Sequence, residues 1–255
     1  MKGILRPLII LILLCFSEAL SAQIVNIESK RLGERDEGWN GSVELGLNLI
    51  KNTKEIWQIN NRIRVQHKKR KHSILLLTDF KMVKADEADF VNKGFEHIRY
   101  NLAFNDSTRK IVLELFEQAQ FNKIQKIDLR ILAGGGLRIK VLETDSTSIS
   151  FGALGMYEHE QLIDDEGLNQ DIRLSNYLSF DFQFTKTFGL NTITYFQPMV
   201  SNFQDYRLSS ESALRFKISD RLTFRVIYNI INDSQPPPGV PKTNYSLKNA
   251  LKFSF

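Results

Sequence analysis

The chain has almost no cysteine. Cys15 is the single one among 255 residues, and it sits inside the apolar stretch Pro7 to Phe16, PLIILILLCF, near the N-terminus. Leu14 precedes it, where a lipoprotein signal wants a small residue, so lipid attachment is not expected. Beyond that stretch there is no thiol, which excludes an intramolecular disulfide and a cysteine-ligated metal there; stability has to come from backbone pairing and packing. Long apolar runs are missing as well. After Ala22 nothing approaches the ~18 residues that a helical membrane span needs. If the remainder crosses a membrane it must cross as strands, because only helices and closed barrels satisfy every backbone polar group in lipid.

What is present begins with a leader. Lys2 and Arg6 precede the apolar stretch, and Ser17 to Ala22 form a small, polar exit. This is the layout of a secretory signal, with cleavage expected after Ala22 and residues 1–22 removed. Residues 23–38, QIVNIESKRLGERDEG, are charged and aperiodic and read as a periplasmic lead-in.

From Trp39 to Phe255 the dominant signal is alternation of apolar and polar residues, the period of a half-buried strand. About twelve segments show it, each near the ~9 to 11 residues of a tilted transmembrane strand or longer. They are predicted at 39–50, 54–66, 73–83, 90–104, 110–121, 126–141, 148–157, 171–185, 188–197, 206–218, 222–231 and 243–255. The segment 171–185 sets Leu174, Leu178, Phe180, Phe182 and Phe184 against Arg173, Ser175, Ser179, Asp181 and Gln183. Gly134, Gly135 and Gly136 in the sixth segment predict a bulge or bend. The final segment alternates Tyr245, Leu247, Leu251, Phe253 and Phe255 against Asn244, Ser246, Lys248, Lys252 and Ser254. The fold class is therefore all-β, an antiparallel transmembrane barrel of about twelve strands.

Loop lengths fit that topology. One alternate set of connections is short: 67–72, 105–109, 142–147, 186–187 and 219–221. The other holds the long ones, 158–170, 198–205 and 232–242. Short periplasmic turns and longer outer loops are the asymmetry of outer-membrane barrels. Pro236, Pro237 and Pro238 stiffen the last outer loop and remove backbone donors from it.

The closing hairpin, Tyr228-Asn-Ile-Ile-Asn-Asp-Ser-Gln-Pro-Pro-Pro-Gly-Val-Pro-Lys-Thr-Asn244, resembles the closing signature of domain-of-unknown-function family 481. The resemblance extends loosely over Gly41 to Phe255 and departs at the first hairpin, where Lys51-Asn52 stand in place of a Gly-Asn pair. Members are often described as putative salt-induced outer-membrane proteins. The resemblance implies an outer-membrane barrel with no established substrate and no catalytic residues. The terminal aromatic strand likewise resembles the closing strand of such barrels, where Phe253 and Phe255 would serve as the assembly signal.

On a barrel wall the polar parity should face inward. The inward bases read from parity include Arg62, Arg64, Arg99, Arg130, Arg138, Arg173, Arg215 and Arg225, with Lys81, Lys140, Lys217, Lys248 and Lys252. The inward acids are Glu44, Asp79, Glu114, Asp128, Asp181 and Glu211. This basic excess allows two readings, a narrow barrel plugged by an ionic network or an anion-preferring diffusion pore. The rival from another class is a soluble periplasmic β-sandwich or lipocalin-like binder, whose apolar face would point inward.

Other candidate sites are weaker. His97 or His159 with a serine would be needed for nucleophilic catalysis, and spacing shows no such constellation, so no enzyme is expected. His67 and His72 bracket four cations that would repel a metal ion, and the cluster reads as a solvated turn near anionic headgroups. The run Asp164-Asp-Glu166 on the longest outer loop reads as solvated, with a divalent cation bridging lipopolysaccharide as the alternative. No cofactor, metal or nucleic-acid partner is expected. The expected location is the cell outer membrane after export through the inner membrane, and the expected partners are outer-membrane lipid, lipopolysaccharide and the outer-membrane barrel assembly machinery.

Overall fold

The computed structural model describes residues 37–51, 55–85, 88–163 and 167–253. The expected signal peptide, nearly all of the lead-in, the 164–166 acidic run and Phe255 lie outside the described residues.

The described chain is all-β. Its strands are β1 (Gly38–Lys51), β2 (Glu55–Lys69), β3 (His72–Ala85), β4 (Ala88–Ala103), β5 (Ile111–Asn122), β6 (Ile127–Glu143), β7 (Thr147–Leu162), β8 (Leu168–Leu174), β9 (Asn176–Gln183), β10 (Phe188–Pro198), β11 (Tyr206–Lys217), β12 (Leu222–Asp233) and β13 (Thr243–Phe253). They form one antiparallel sheet in which each strand pairs with the next, except that β7 pairs both β8 and β9. β8 and β9 are the two halves of the expected eighth segment, broken at Ser175, whose N–H donates to the Leu154 carbonyl at 2.7 Å. β7 meets β9 along Thr147 to Gly152 and β8 along Gly155 to Gln161, so the sheet keeps twelve rungs.

That break changes the expected outer loop. Glu158 to Gln170 is mostly hairpin, with Glu158 opposite Asp171 and Glu160 opposite Asn169. Glu158 to Gln161 is polar on both parities, which conceals the alternation there. The other end of the sheet has the short turns expected. In the His67 to His72 stretch only Arg70 and Lys71 form the turn, with Arg70 at φ 51°. Arg109, at φ 44°, donates from Nη1 to the Arg70 carbonyl at 3.0 Å and ties two neighbouring turns together. The long connections left at the opposite end are 199–205 and 234–242.

The faces are inverted relative to a soluble sheet protein. Glu114 and Glu158 are fully buried, whereas Leu45 is 73% and Leu251 68% exposed. Along β7 the residues Leu154, Met156, Glu158 and Glu160 are buried while Phe151 and Tyr157 are exposed, so one parity of the strand faces inward. A β-sandwich with an apolar interior does not fit this pattern.

The sheet is curled. Arg207 on β11 reaches Glu158 on β7, and the Tyr177 hydroxyl on β9 donates to Glu114 on β5 at 2.8 Å. Each pair is three rungs apart, roughly 14 Å in a flat sheet, so only curvature toward the polar face lets these side chains meet. Among the described residues β1 pairs only with β2, and β13 only with β12, leaving the two edges unjoined.

The glycine triplet does not bulge. Register runs straight through it, with Gly136 opposite Glu114 and Gly134 opposite Phe116, and the irregularities of β6 fall at Ile127/Leu129 and Lys140/Leu142 instead. The glycines provide room. A Cβ at Gly134 would stand 2.8 Å from the Met156 Cβ and 2.9 Å from the Phe116 ring, and one at Gly136 would collide with the Ala153 carbonyl. At Gly155 a Cβ meets nothing within 4 Å. Gly136→Ala is therefore expected to lower stability by about 1–3 kcal/mol through overpacking. Gly155→Ala should leave it unchanged, and urea midpoints of the two folded variants in one detergent compare them directly.

Candidate functional site

The polar face carries two groups of buried ion pairs with a cavity between them. The first lies at the end of the sheet that holds the long connections. Glu158 is fully buried and is met by Arg173 Nε at 2.7 Å, by Arg130 Nε at 3.2 Å and by Arg207. Glu160 pairs with Arg130, with Arg207 Nη2 at 3.4 Å, and accepts from Asn169 Nδ2 at 3.2 Å. The guanidiniums have further carboxylates behind them. Arg207 Nε lies 3.0 Å from Asp233, and Arg173 Nη1 2.9 Å from Asp205. Arg207 thus links β7 to β12 across the concave face.

The second group centres on Glu114, also fully buried, with Arg99 Nη1 at 3.3 Å, Arg138 Nε at 3.2 Å and the Tyr177 hydroxyl. A carboxylate removed from water is tolerated only where charged and hydrogen-bonding partners replace the lost hydration. Each buried glutamate here has at least two guanidiniums. Local packing makes this possible: Gly152 leaves the space that the Tyr177 ring occupies, since a Cβ there would collide with it.

Between the groups runs a strip of amide, hydroxyl, imidazole and aromatic side chains. His97 Nδ1 lies 3.2 Å from Gln118 Oε1, Gln118 Nε2 donates to Gln120 Oε1 at 2.8 Å, and Gln197 Nε2 donates to Ser175 Oγ at 3.0 Å. Tyr177 and Tyr195 have ring centroids 5.3 Å apart, and Phe116 stacks on His97 at 5.8 Å. These side chains line a cavity of about 40 Å³, room for a few waters.

Four of the arginines picked out by parity, Arg99, Arg130, Arg138 and Arg173, converge in these groups. Arg62 does not. It lies largely exposed on β2, paired with Asp79 at 2.9 Å and Glu44 at 3.3 Å. Arg215 pairs with Asp181 at 2.7 Å, and Arg64 and Arg225 are partly buried on β2 and β12. Asp128, expected inward, is exposed because the irregularity at Ile127/Leu129 shifts it out of step. Phe253 ends β13, opposite Leu222.

Parity did not pick out Glu158, Glu160, Arg207, Asp205 and Asp233, and they change the charge balance. With Glu114 they make five carboxylates facing five guanidiniums in the two groups, in place of the basic excess that parity implied. The signal for Glu158 and Glu160 was available, since both continue the parity of Leu154 and Met156. His159 contacts Gln170 at 3.3 Å, and His72 Nδ1 lies 2.6 Å from the Tyr100 hydroxyl. In the turn 218–221, a hydrogen bond from Lys217 and its charge hold the Asp220 carboxyl below the usual aspartate range. Among the described residues no group of three or more histidines, cysteines or acids is arranged to hold a metal ion.

A family model described as "Protein of unknown function, DUF481" matches residues 43–255. No curated protein matches the chain. Among solved structures, a NanC porin in a rhombohedral crystal form is similar over 82% of this chain and 100% of its own, at 8% sequence identity and a TM-score of 0.48.

The buried pairs make a stability prediction. Glu158→Ala leaves three guanidiniums facing a void and should cost about 3–5 kcal/mol. Glu44→Ala, which loses only a solvent-exposed pair with Arg62, should cost about 0–1 kcal/mol. Urea unfolding of the refolded variants, followed by tyrosine fluorescence, gives both values.

Proposed function

The chain belongs to the DUF481 family of proteins of unknown function, and from that premise we propose that it is an outer-membrane β-barrel whose lumen is occluded by ion pairs instead of standing open as a diffusion pore. The observation that carries this reading is Arg207, which spans the concave face to meet Glu158, Glu160 and Asp233 at once. A side chain anchored by three carboxylates on two strands fills the passage that a pore would need.

Location in the outer membrane is supported by three features. The N-terminal stretch has the pattern of an export signal. The described sheet buries polar residues such as Glu114 and Glu158 on one face and exposes apolar ones such as Leu45 and Leu251 on the other, which suits a wall of strands with lipid outside. Aromatic rings gather at the short-turn end of the sheet: the exposed Phe182, Phe184 and Phe216 and the half-buried Phe188 form a row at 4.9–5.0 Å between centroids. Aromatic girdles at the interfaces are a barrel feature, since ring edges tolerate the boundary between lipid and water. In this reading the apolar parity meets membrane lipid and lipopolysaccharide, and the Phe253 to Phe255 end is read by the barrel assembly machinery. The anion-preferring pore is the second reading, favoured by Arg225, which has no ion-pair partner among the described residues.

Two measurements test the proposal. In planar bilayers, protein shown to be folded by heat-modifiable gel migration should give no steady conductance steps, whereas the triple variant Glu158→Gln, Glu160→Gln, Arg207→Gln should conduct. Steady anion-preferring steps from the unaltered protein, weakened by Arg130→Glu or Arg215→Glu, would overturn the occluded reading in favour of the pore. Placing a charge on the outward parity tests the membrane: Leu178→Arg should cost about 2–4 kcal/mol of stability in lipid vesicles if that site lies near the bilayer midplane. An unchanged stability there would argue against lipid contact.

A further inference from the structure

The short-turn end of the sheet holds a cluster of cations that the interior does not use. Lys69, Arg70 and Lys71 stand at the β2–β3 turn, and Lys110 stands just before β5. All four are exposed, and none of them forms an ion pair among the described residues. Two acids come close. Glu37 accepts from the Arg70 backbone N–H at 2.9 Å, and Asp106 faces Arg109 at 4.0 Å. Setting Glu37 against the four cations still leaves a formal excess of +3 (4 − 1). Two other turns at this end carry their own counter-charge, Lys140 with Glu143 and Lys217 with Asp220, each at 2.7 Å.

Hydrogen bonds hold the cationic turns in one piece. Arg109 Nη1 donates to the Arg70 carbonyl at 3.0 Å, the Ala103 N–H to the Lys71 carbonyl at 2.8 Å, and the Lys140 N–H to the Lys110 carbonyl at 2.8 Å. Charges fixed before a partner arrives lose less freedom when it binds. The side they occupy identifies that partner. Lys69 and His72 lie opposite one another and are exposed, whereas Lys68 and Ser73 beside them are buried. Lys69 and His72 therefore continue the outward parity, that of the exposed Ile74. On the same parity His67 lies 4.5 Å from the ring of Trp39, which is 72% exposed, and His72 Nδ1 lies 2.6 Å from the Tyr100 hydroxyl. At such a border a lysine lays its stem on apolar surface and keeps its charge in water. A soluble acidic partner has no use for that apolar continuation. A phospholipid needs both parts, since its phosphate meets the cations and its chains meet Trp39 and Ile74.

We infer that this rim binds the headgroup of an anionic phospholipid, of the phosphatidylglycerol class, in the leaflet at the short-turn end. Clusters of lysine and arginine at a membrane surface attract anionic lipid in this way. The inference rests on the reading that the apolar parity meets lipid, and its test separates the two.

Trp39 and Trp57 are the two tryptophans of the chain, and Trp57 lies towards the other end of the sheet, opposite Leu49. The Trp57→Phe protein in phosphatidylcholine vesicles therefore reports on this rim through Trp39, quenched by lipids brominated on their acyl chains. Brominated phosphatidylglycerol should show a relative binding constant about fivefold above that of brominated phosphatidylcholine, the effect of about one cation at an anionic surface. Salt at about 0.5 M should remove most of the preference. Lys69→Gln with Lys71→Gln should bring the two lipids level; if that variant does not reach the heat-modifiable folded form, the salt dependence decides. Equal quenching by the two lipids would overturn the inference and leave lipid contact standing, and binding of polyglutamate in that case would assign the patch to a soluble acidic partner. A preference unmoved by salt and by the folded double variant would overturn it as well. Quenching by neither lipid would overturn the lipid-facing reading and this inference together.

Discussion

A carboxylate taken wholly out of water needs its hydration replaced, and two glutamates on this sheet, Glu114 and Glu158, are in that position. Much of the architecture follows from it. Their partners come from strands three rungs away as well as from neighbours, so the sheet must curl toward its polar face to bring them together. The break at Ser175 lets β7 continue past its pairing with β9 and carry Glu158 and Glu160 to the positions where Arg130, Arg173 and Arg207 converge. Buried ion pairs give little net stability against an apolar core of the same volume. What they provide here is an interior that the sequence can fill with charge while the apolar residues point the other way.

That inversion accounts for the composition. A chain with a slightly polar mean hydropathy can cross a membrane only if its apolar residues are concentrated on one parity of each strand. Curling the wall tightly puts backbones and inward side chains in close contact, and the glycines sit where that happens. Gly134 and Gly136 admit the Phe116 ring and the β7 backbone, and Gly152 admits Tyr177. The same tightness leaves only a small cavity between the charged groups.

The fold was largely legible because a strand's period of two is a strong local signal. Twelve alternating segments became twelve rungs, and Arg99, Arg130, Arg138 and Arg173 were found by parity alone. The failures have local causes. Tyr157 to Gln161 reads Tyr-Glu-His-Glu-Gln, polar or amphipathic at every position, so a strand looked like a loop and two central acids were lost with it. Arg207 stands second in β11, inside the segment 206–218 and on the same parity as Glu211 and Arg215, so its signal too was present in the sequence. Arg62 has the right parity and stays exposed, because its strand lies beside the unjoined edge of the sheet, where the curl brings nothing over it. Which bases find acids across the interior is a matter of curvature, and curvature has no one-dimensional signature.

The central claim, that the polar parity faces a packed interior and the apolar parity faces lipid, is tested most directly by spin labelling. The chain from residue 23 onward has no cysteine, so single cysteines can be placed at each position from Val112 to Ala119 of β5, labelled with a nitroxide and reconstituted in lipid vesicles. Oxygen accessibility should alternate, high at Leu113, Leu115, Glu117 and Ala119 and low at Val112, Glu114, Phe116 and Gln118, with a polar nickel complex excluded from both sets near the bilayer centre. Alternation of the opposite phase, or equal access of the nickel complex to both parities along the strand, would contradict the account.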